Sequence, residues 1–323
     1  GQGVIGNDVA RRWIWLVVAA FIGLAAFSMV GDLDHLGDQL EGFAWPAFGA
    51  ALALALSNYV LRFVRWQLYL RRQNVRVPVA SSFYVFMAGL SLSITPAKLG
   101  ELLKSFLLRE MHDIPAARTA PIVVAERVSD LIALLVLAVL GVAAYGVDPT
   151  FVIAAAALIG LGLLLLAWQA PTRWLIDLAT RPQRVRKLRE PLHETLRGLG
   201  VLCRPVPLLI STAIAVPAWA CECLGFKLIC DGFAGAPITM GHATLIYSMT
   251  TIAGALSFLP GGLGVTEGAM TVALVHDKID RAAAVAATLL TRLATLWFAV
   301  LLGVVFLAIA RRRIARRAEN RVL

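Results

Sequence analysis

Charge is scarce in this sequence, and negative charge is scarcest. Asp, Glu, Lys and Arg make up 15% of its 323 residues, of which only 20 are acidic, whereas a soluble domain is about 25% charged. No polar stretch is long enough for a separate soluble catalytic domain; the longest runs from 171 to 204. The H-E-x-x-H, G-x-S-x-G and Walker A patterns are missing, so neither a familiar hydrolase nor an ATP-driven pump is indicated. Cysteine is limited to Cys203, Cys221, Cys223 and Cys230. Cys221 and Cys223 do not share a helix face and no second Cys/His pair completes a zinc site; they read as small buried apolar residues. His35, His112, His193, His242 and His276 are dispersed, with His35 and His276 expected on the outer side and His112 and His193 on the inner. No metal, cofactor or catalytic residue is expected.

What is abundant is hydrocarbon. Hydrophobic residues make up 59% of the chain and the mean hydropathy is +0.77. Several apolar runs reach the about 18 residues that cross about 30 Å of bilayer core as a helix. The expectation is an all-α polytopic membrane protein forming a single domain over 1–323, with full spans at 13–31, 44–70, 117–145, 151–169, 206–230 and 281–310. The net charge of +10 does not point to nucleic acid, because the basic residues concentrate in particular loops. Arg11 and Arg12 precede the first span, and Arg62, Arg65, Arg71, Arg72 and Arg76 are counted with the basic loop that follows the second. More lie in 171–204 and in the tail 311–323, whereas "GDLDHLGDQLEG" (31–42) has none. That bias places both termini and the basic loops in the cytoplasm, where anionic lipid headgroups are the expected partners. In 171–204, Val185, Leu188, Leu192, Leu196 and Leu199 fall at helical spacing; an interfacial amphipathic helix and a solvated linker are both open. A homo-oligomer is also open.

Two apolar segments, about 81–108 and 239–277, are broken in the middle by "SITPAKLGELLKSFLL" and "SFLPGGLGVTEGAMTVAL". Each lies between loops assigned to one side, so each reads as a re-entrant hairpin of two half-helices. Irregular backbone at that depth is tolerated only inside protein or along a cavity. The breaks share P-x-x-L-G, at Pro96–Gly100 and Pro260–Gly264. Each is followed by a glutamate, Glu101 or Glu267, and later by an arginine within a span, Arg127 or Arg292. The halves 13–145 and 151–310 therefore read as inverted repeats, and broken segments at matching positions mark a transport site.

Half-helix N-termini at the two breaks would offer free amides to an anion, with Gly100, Pro260, Gly261, Gly262 and Gly264 allowing close approach. Arg127 and Arg292 are costly inside a membrane unless paired. They read either as phosphate ligands or as locks, Arg127 with Glu126, Asp130 or Glu101 and Arg292 with Glu267. Lys98 is expected to contact phosphate, whereas Lys104 is expected to snorkel toward the cytoplasm. Glu126, Asp130 or Glu267 would gate or carry a proton. Glu222 and Lys227 are expected to pair structurally.

"TPAKLGELLKSFLL", "AERVSD" and "FLPGGLGVTEGAM" followed by "TRLATLWF" resemble the lysylphosphatidylglycerol synthase transmembrane family over about 13–310. The resemblance implies a flippase-like fold with re-entrant helices in the bacterial inner membrane. The implied cargo is an anionic or zwitterionic lipid: a phospholipid, an aminoacyl-phospholipid or a polyprenyl-phosphate-linked lipid. It carries Pro96, Gly100 and Glu101, then Glu126, Arg127 and Asp130, then Pro260, Gly261, Gly262, Gly264, Glu267 and Arg292 over as motif residues. The 323 residues include no soluble aminoacyltransferase domain, so lipid synthesis is not expected. A secondary transporter of a small solute or ion and a membrane-embedded lipid-modifying enzyme are the alternatives.

Overall fold

The computed structural model describes residues 33–319 except 147, 168 and 184. The expected span at 13–31 and the end of the basic tail lie outside the described residues. Within them every element is helical and no strand occurs. Four helical stretches are long and apolar enough to cross a membrane: α2 (Trp45–Arg72), α5 (Ala116–Tyr145), α9 (Pro205–Asp231) and the composite Arg281–Ile314. The last begins as α12 (Arg281–Arg292) and continues into α13 (Phe298–Glu319) through a π-helical turn at Leu293–Trp297. Helix α1 (Leu33–Glu41) precedes them. Helix α6 (Thr150–Ala167) occupies the expected span 151–169, but its about 27 Å length is slightly under the hydrocarbon thickness, and it stands as a shorter apolar helix.

Both broken segments form helical hairpins. In the first, α3 (Val79–Gly89) and the 3-10 turn Leu90–Leu92 lead to a 3-10 segment, Pro96–Leu102, and back along α4 (Leu103–His112). In the second, α10 (Met240–Leu256) reaches a single 3-10 turn, Pro260–Gly262, and returns as α11 (Val265–His276). The two tips pack against each other. At equivalent places in P-x-x-L-G the backbone enters the left-handed region, at Lys98 (φ 54°) and Gly262 (φ 66°). For lysine this conformation costs of order 1–3 kcal/mol, a cost usually tolerated at functional sites. At Gly262 a Cβ would also lie 3.0 Å from Gly254 Cα.

The helix contacts come in matched pairs. α2 and α9 run antiparallel, with Asn58 Nδ2 donating to Ala218 O at 2.8 Å and Phe43 against Phe233 at their far ends. α5 packs antiparallel on hairpin arm α10, with Gly141 facing Leu245 and Gly241 facing Ala144. α13 packs antiparallel on arm α3, with Gly303 against the Leu90–Ser91 backbone and Phe306 on Phe83 and Tyr84. Small residues let helix backbones approach where lipid supplies no hydrophobic drive between them. Gly303→Val would push a branched side chain into backbone that cannot yield. It should cost at least the about 1–3 kcal/mol of an overpacked site, read as a lowered melting temperature of the detergent-purified protein; an unchanged melt would show that this crossing is loose.

The loop 171–204 is helical too. Helices α7 (Gln169–Ala179) and α8 (Arg189–Leu202) are joined by Asp177, which accepts from Arg189 Nε at 2.8 Å and lies 2.9 Å from His193 Nε2. The apolar face expected to lie on lipid is divided. Leu196, Leu199 and Leu202 are buried against the protein body, while Leu188 and Leu192 are exposed. Gln73 Nε2 donates to Gly198 O at 3.1 Å, which fastens α8 to the end of α2. The helix is amphipathic as expected, but much of its apolar face serves the protein because α5 presents Pro121 to it.

Candidate functional site

Where the hairpin tips meet α2, α5, α9 and the π-helical turn, they enclose a cavity of about 330 Å³. Lys98, Arg127, Asp130, Gly261, Gly262 and Arg292 line it, all expected from the sequence. Gly100, Glu101, Glu126, Pro260, Gly264 and Glu267 are not among its lining residues; of these, Glu101 and Glu267 hold the lining arginines Arg62, Arg127 and Arg292. Glu267 accepts from Arg292 Nε at 2.6 Å, and Arg292 also donates to Gly261 O at 2.6 Å. Arg127 reaches Glu101 at 3.4 Å and Asp130 at 3.0 Å. In both halves, then, the glutamate that follows the break is tied to the arginine of the next span.

The first half carries a larger network. Glu101, fully buried, accepts from Arg62 at 3.2 Å and Lys104 at 3.1 Å. Lys104 also sits 2.5 Å from Glu126 and lies over the Trp66 ring at 4.7 Å. Asp130 accepts from Arg65 at 2.7 Å and from Trp219 Nε1 at 3.0 Å. Buried ions persist only when paired and hydrogen-bonded, and this lattice provides both.

Three expectations change. Arg62 and Arg65 are not loop residues: they lie one turn apart on α2, 4% and 0% exposed, inside the ion network. Counting positive charges near a span's end does not separate a paired, buried arginine from a solvated one. Lys104 does not snorkel, because Glu101 and Glu126 neutralise it in place. One amide at each break is occupied, since Gly100 N donates to Thr95 Oγ1 at 2.6 Å and Gly264 N to Glu267 Oε2 at 2.7 Å. Glu267 sits at the third position of α11 and caps the helix itself. Side chains supply positive character to the cavity, from Arg62, Lys98, Arg127 and Arg292.

That character is not fully spent. Arg62 Nε and Arg127 Nε are buried without an acceptor among the described residues. Among the same residues Lys98 Nζ has no carboxylate within ion-pair distance, and it lies 5.3 Å over the Trp219 ring. Glu222 is the counterpart among the lining carboxylates. It accepts from Tyr247 at 2.5 Å but has no cationic partner within ion-pair distance among the described residues; Lys227, for which a structural pairing was expected, bonds Asp231. Tyr59, from α2, donates to Thr295 O at 3.1 Å, a carbonyl in the π-helical turn, an element that recurs at functional sites. Leu131, Leu134, Leu256 and Leu296 add apolar wall, and Ser93, Thr95, Thr251, Thr266 and Thr295 add hydroxyls. Phe258 and Leu259, also lining it, are 67% and 44% exposed, so an apolar edge opens outward at the second tip. A clue to Arg62 and Arg65 was present in the sequence: two arginines at i, i+3 within "LSNYVLRFVRW", inside a largely apolar and aromatic stretch of the helix and not at its end.

The sequence pattern described as "Lysylphosphatidylglycerol synthase TM region" matches residues 13–303. Two curated proteins are similar along most of their lengths. A UPF0104 membrane protein of Methanothermobacter thermautotrophicus is 24% identical over 317 residues, 90% of this chain and 93% of that protein. A UPF0104 membrane protein of Methanocaldococcus jannaschii is 27% identical over 238 residues, 71% of this chain and 97% of that protein.

Proposed function

Because the chain belongs to the lysylphosphatidylglycerol synthase transmembrane-region family, we propose that it moves a phosphate-bearing lipid, anionic or zwitterionic, between the leaflets of the bacterial inner membrane. The observation that carries this reading is a cavity with unspent cationic donors, Arg62, Arg127 and Lys98, beside an apolar edge at Phe258 and Leu259. A headgroup phosphate would cross between the hairpin tips, held by guanidinium forks, while its acyl chains stayed in the hydrocarbon. A cavity for a soluble solute has no use for such an edge.

The same proposal takes the two hairpins as re-entrant and the halves as inverted repeats with both termini cytoplasmic. The matched pairs α5/α10 and α13/α3, the self-pair α2/α9 and the meeting of the tips support that pairing of halves, as inverted repeats require. The chain acts in this reading as a transporter and not an enzyme, with the basic cytoplasmic loops resting on anionic headgroups. Reconstituted in liposomes, the protein should expose a labelled phosphatidylglycerol to a membrane-impermeant quencher far faster than empty vesicles do. Equal rates with and without protein would overturn the proposal.

A further inference from the structure

The unpaired state of Glu222 bears on how transport is driven. Four other carboxylates of the site, Glu101, Glu126, Asp130 and Glu267, each have an arginine or lysine within 3.4 Å. Glu222, 7% exposed and lining the cavity, has the Tyr247 hydroxyl instead. The groups facing it are Tyr247 of α10, Tyr59 and Arg62 of α2, Lys98 of the first tip and Asp130 of α5, with Cys221 and Cys223 beside it on α9. Lys98 and Arg62 are the cations in that set, and they are also the donors that the proposed headgroup would occupy.

Resting on the lipid-transport reading above, we propose that Glu222 is the proton carrier that couples lipid movement to a pH gradient. A phosphate entering the cavity adds negative charge beside Glu222 and neutralises Lys98 and Arg62, the charges that favour its ionised form. A neighbouring like charge favours protonation of a carboxylate. The carboxylate therefore takes one proton from the solvent on the side where the phosphate enters, becoming a neutral acid still bonded to Tyr247. It returns that proton to the opposite side when the phosphate leaves and the cations face it again. Proton and phosphate are bound with positive coupling, and each raises the affinity of the other. The alternative carriers have less freedom: protonating Asp130 or Glu267 would leave Arg65 or Arg292 with no other carboxylate within ion-pair distance among the described residues, and protonating Glu126 would leave Lys104 sharing Glu101 with Arg62 and Arg127.

The test uses the full chain in liposomes with labelled phosphatidylglycerol and a gradient of about one pH unit. Wild-type protein should drive the label toward an about tenfold leaflet asymmetry, the limit set by one proton per lipid, and should equilibrate the leaflets without a gradient. Glu222→Gln should show no gradient-driven asymmetry, and Glu222→Asp should recover part of it. Independently of transport, adding short-chain phosphatidylglycerol to the detergent-purified protein should raise a protonated-carboxyl infrared band that shifts in Glu222→Asp and is missing in Glu222→Gln. Lipid movement indifferent to the gradient in wild type, full asymmetry in Glu222→Gln, or a band unchanged in both variants would overturn the proton role and leave lipid transport standing. Absence of any lipid movement in wild type would overturn the transport reading itself, and this inference with it.

Discussion

Glu101→Ala should be among the most damaging single substitutions in this protein. The carboxylate is 0% exposed and joins Arg62, Lys104, Arg127 and the Ser93 hydroxyl. Its loss falls unevenly on those partners. Lys104 would keep Glu126, and Arg127 would keep Asp130, but Arg62 has no other ion pair among the described residues. An uncompensated buried charge costs roughly 3–5 kcal/mol, a large part of the about 5–15 kcal/mol that holds a typical protein folded. The expected result is a sharp fall in folded yield and melting temperature. Glu101→Gln, which keeps the shape and one acceptor, should be milder. Because the cost arises from Arg62, the double variant Glu101→Gln/Arg62→Met should recover part of the loss, a non-additivity that a double-mutant cycle measures. Additive losses would mean that Arg62 and Glu101 do not depend on each other.

The second large effect falls on activity and not on stability. Arg127 is 19% exposed on the cavity side, and its removal strands no carboxylate: Asp130 keeps Arg65 and Trp219, and Glu101 keeps Arg62 and Lys104. Arg127→Ala should therefore fold normally. Losing a charge-assisted contact worth about 1.5–3 kcal/mol should slow lipid translocation by roughly 10- to 100-fold. Arg127→Lys should recover only part of the rate, since an ammonium lacks the fork that grips phosphate. A wild-type rate in Arg127→Ala, with an unchanged melt, would remove the arginine from the transport path.

These contrasts show which parts of the site the sequence made legible. Both breaks were readable because proline and glycine rarely interrupt an apolar run unless the chain turns there, and the structure turns the chain at both. Each break was followed by a glutamate and then by an arginine within a span, and each arginine does meet the glutamate of its own hairpin. The role of the broken backbone was read differently. Helix ends generally leave amides free, but Thr95 and Glu267 are placed to cap one amide at each break, which only coordinates reveal. Arg62 and Arg65 were hidden by their position near the C-terminal end of α2, close to Arg71 and Arg72, where positive charge ordinarily reports topology. The part played by Glu222 was invisible because what distinguishes it is the cation it lacks, and a sequence does not show which of several nearby basic residues will reach which acid. The folding of α8 back onto α2 and α5 was likewise ambiguous, because an apolar helix face looks alike whether it meets lipid or protein.

Lipid transport by this route requires a headgroup phosphate to enter the cavity between the tips and meet Arg127. Phosphorus–nitrogen dipolar coupling, measured by solid-state NMR on guanidinium-labelled protein in phosphatidylglycerol bilayers, reports that contact itself. The Arg127 guanidinium signal should be dephased by lipid phosphorus, and the effect should vanish in Arg127→Lys. Dephasing confined to the arginines of the basic loops, with none at Arg127, would contradict a phosphate path through the cavity.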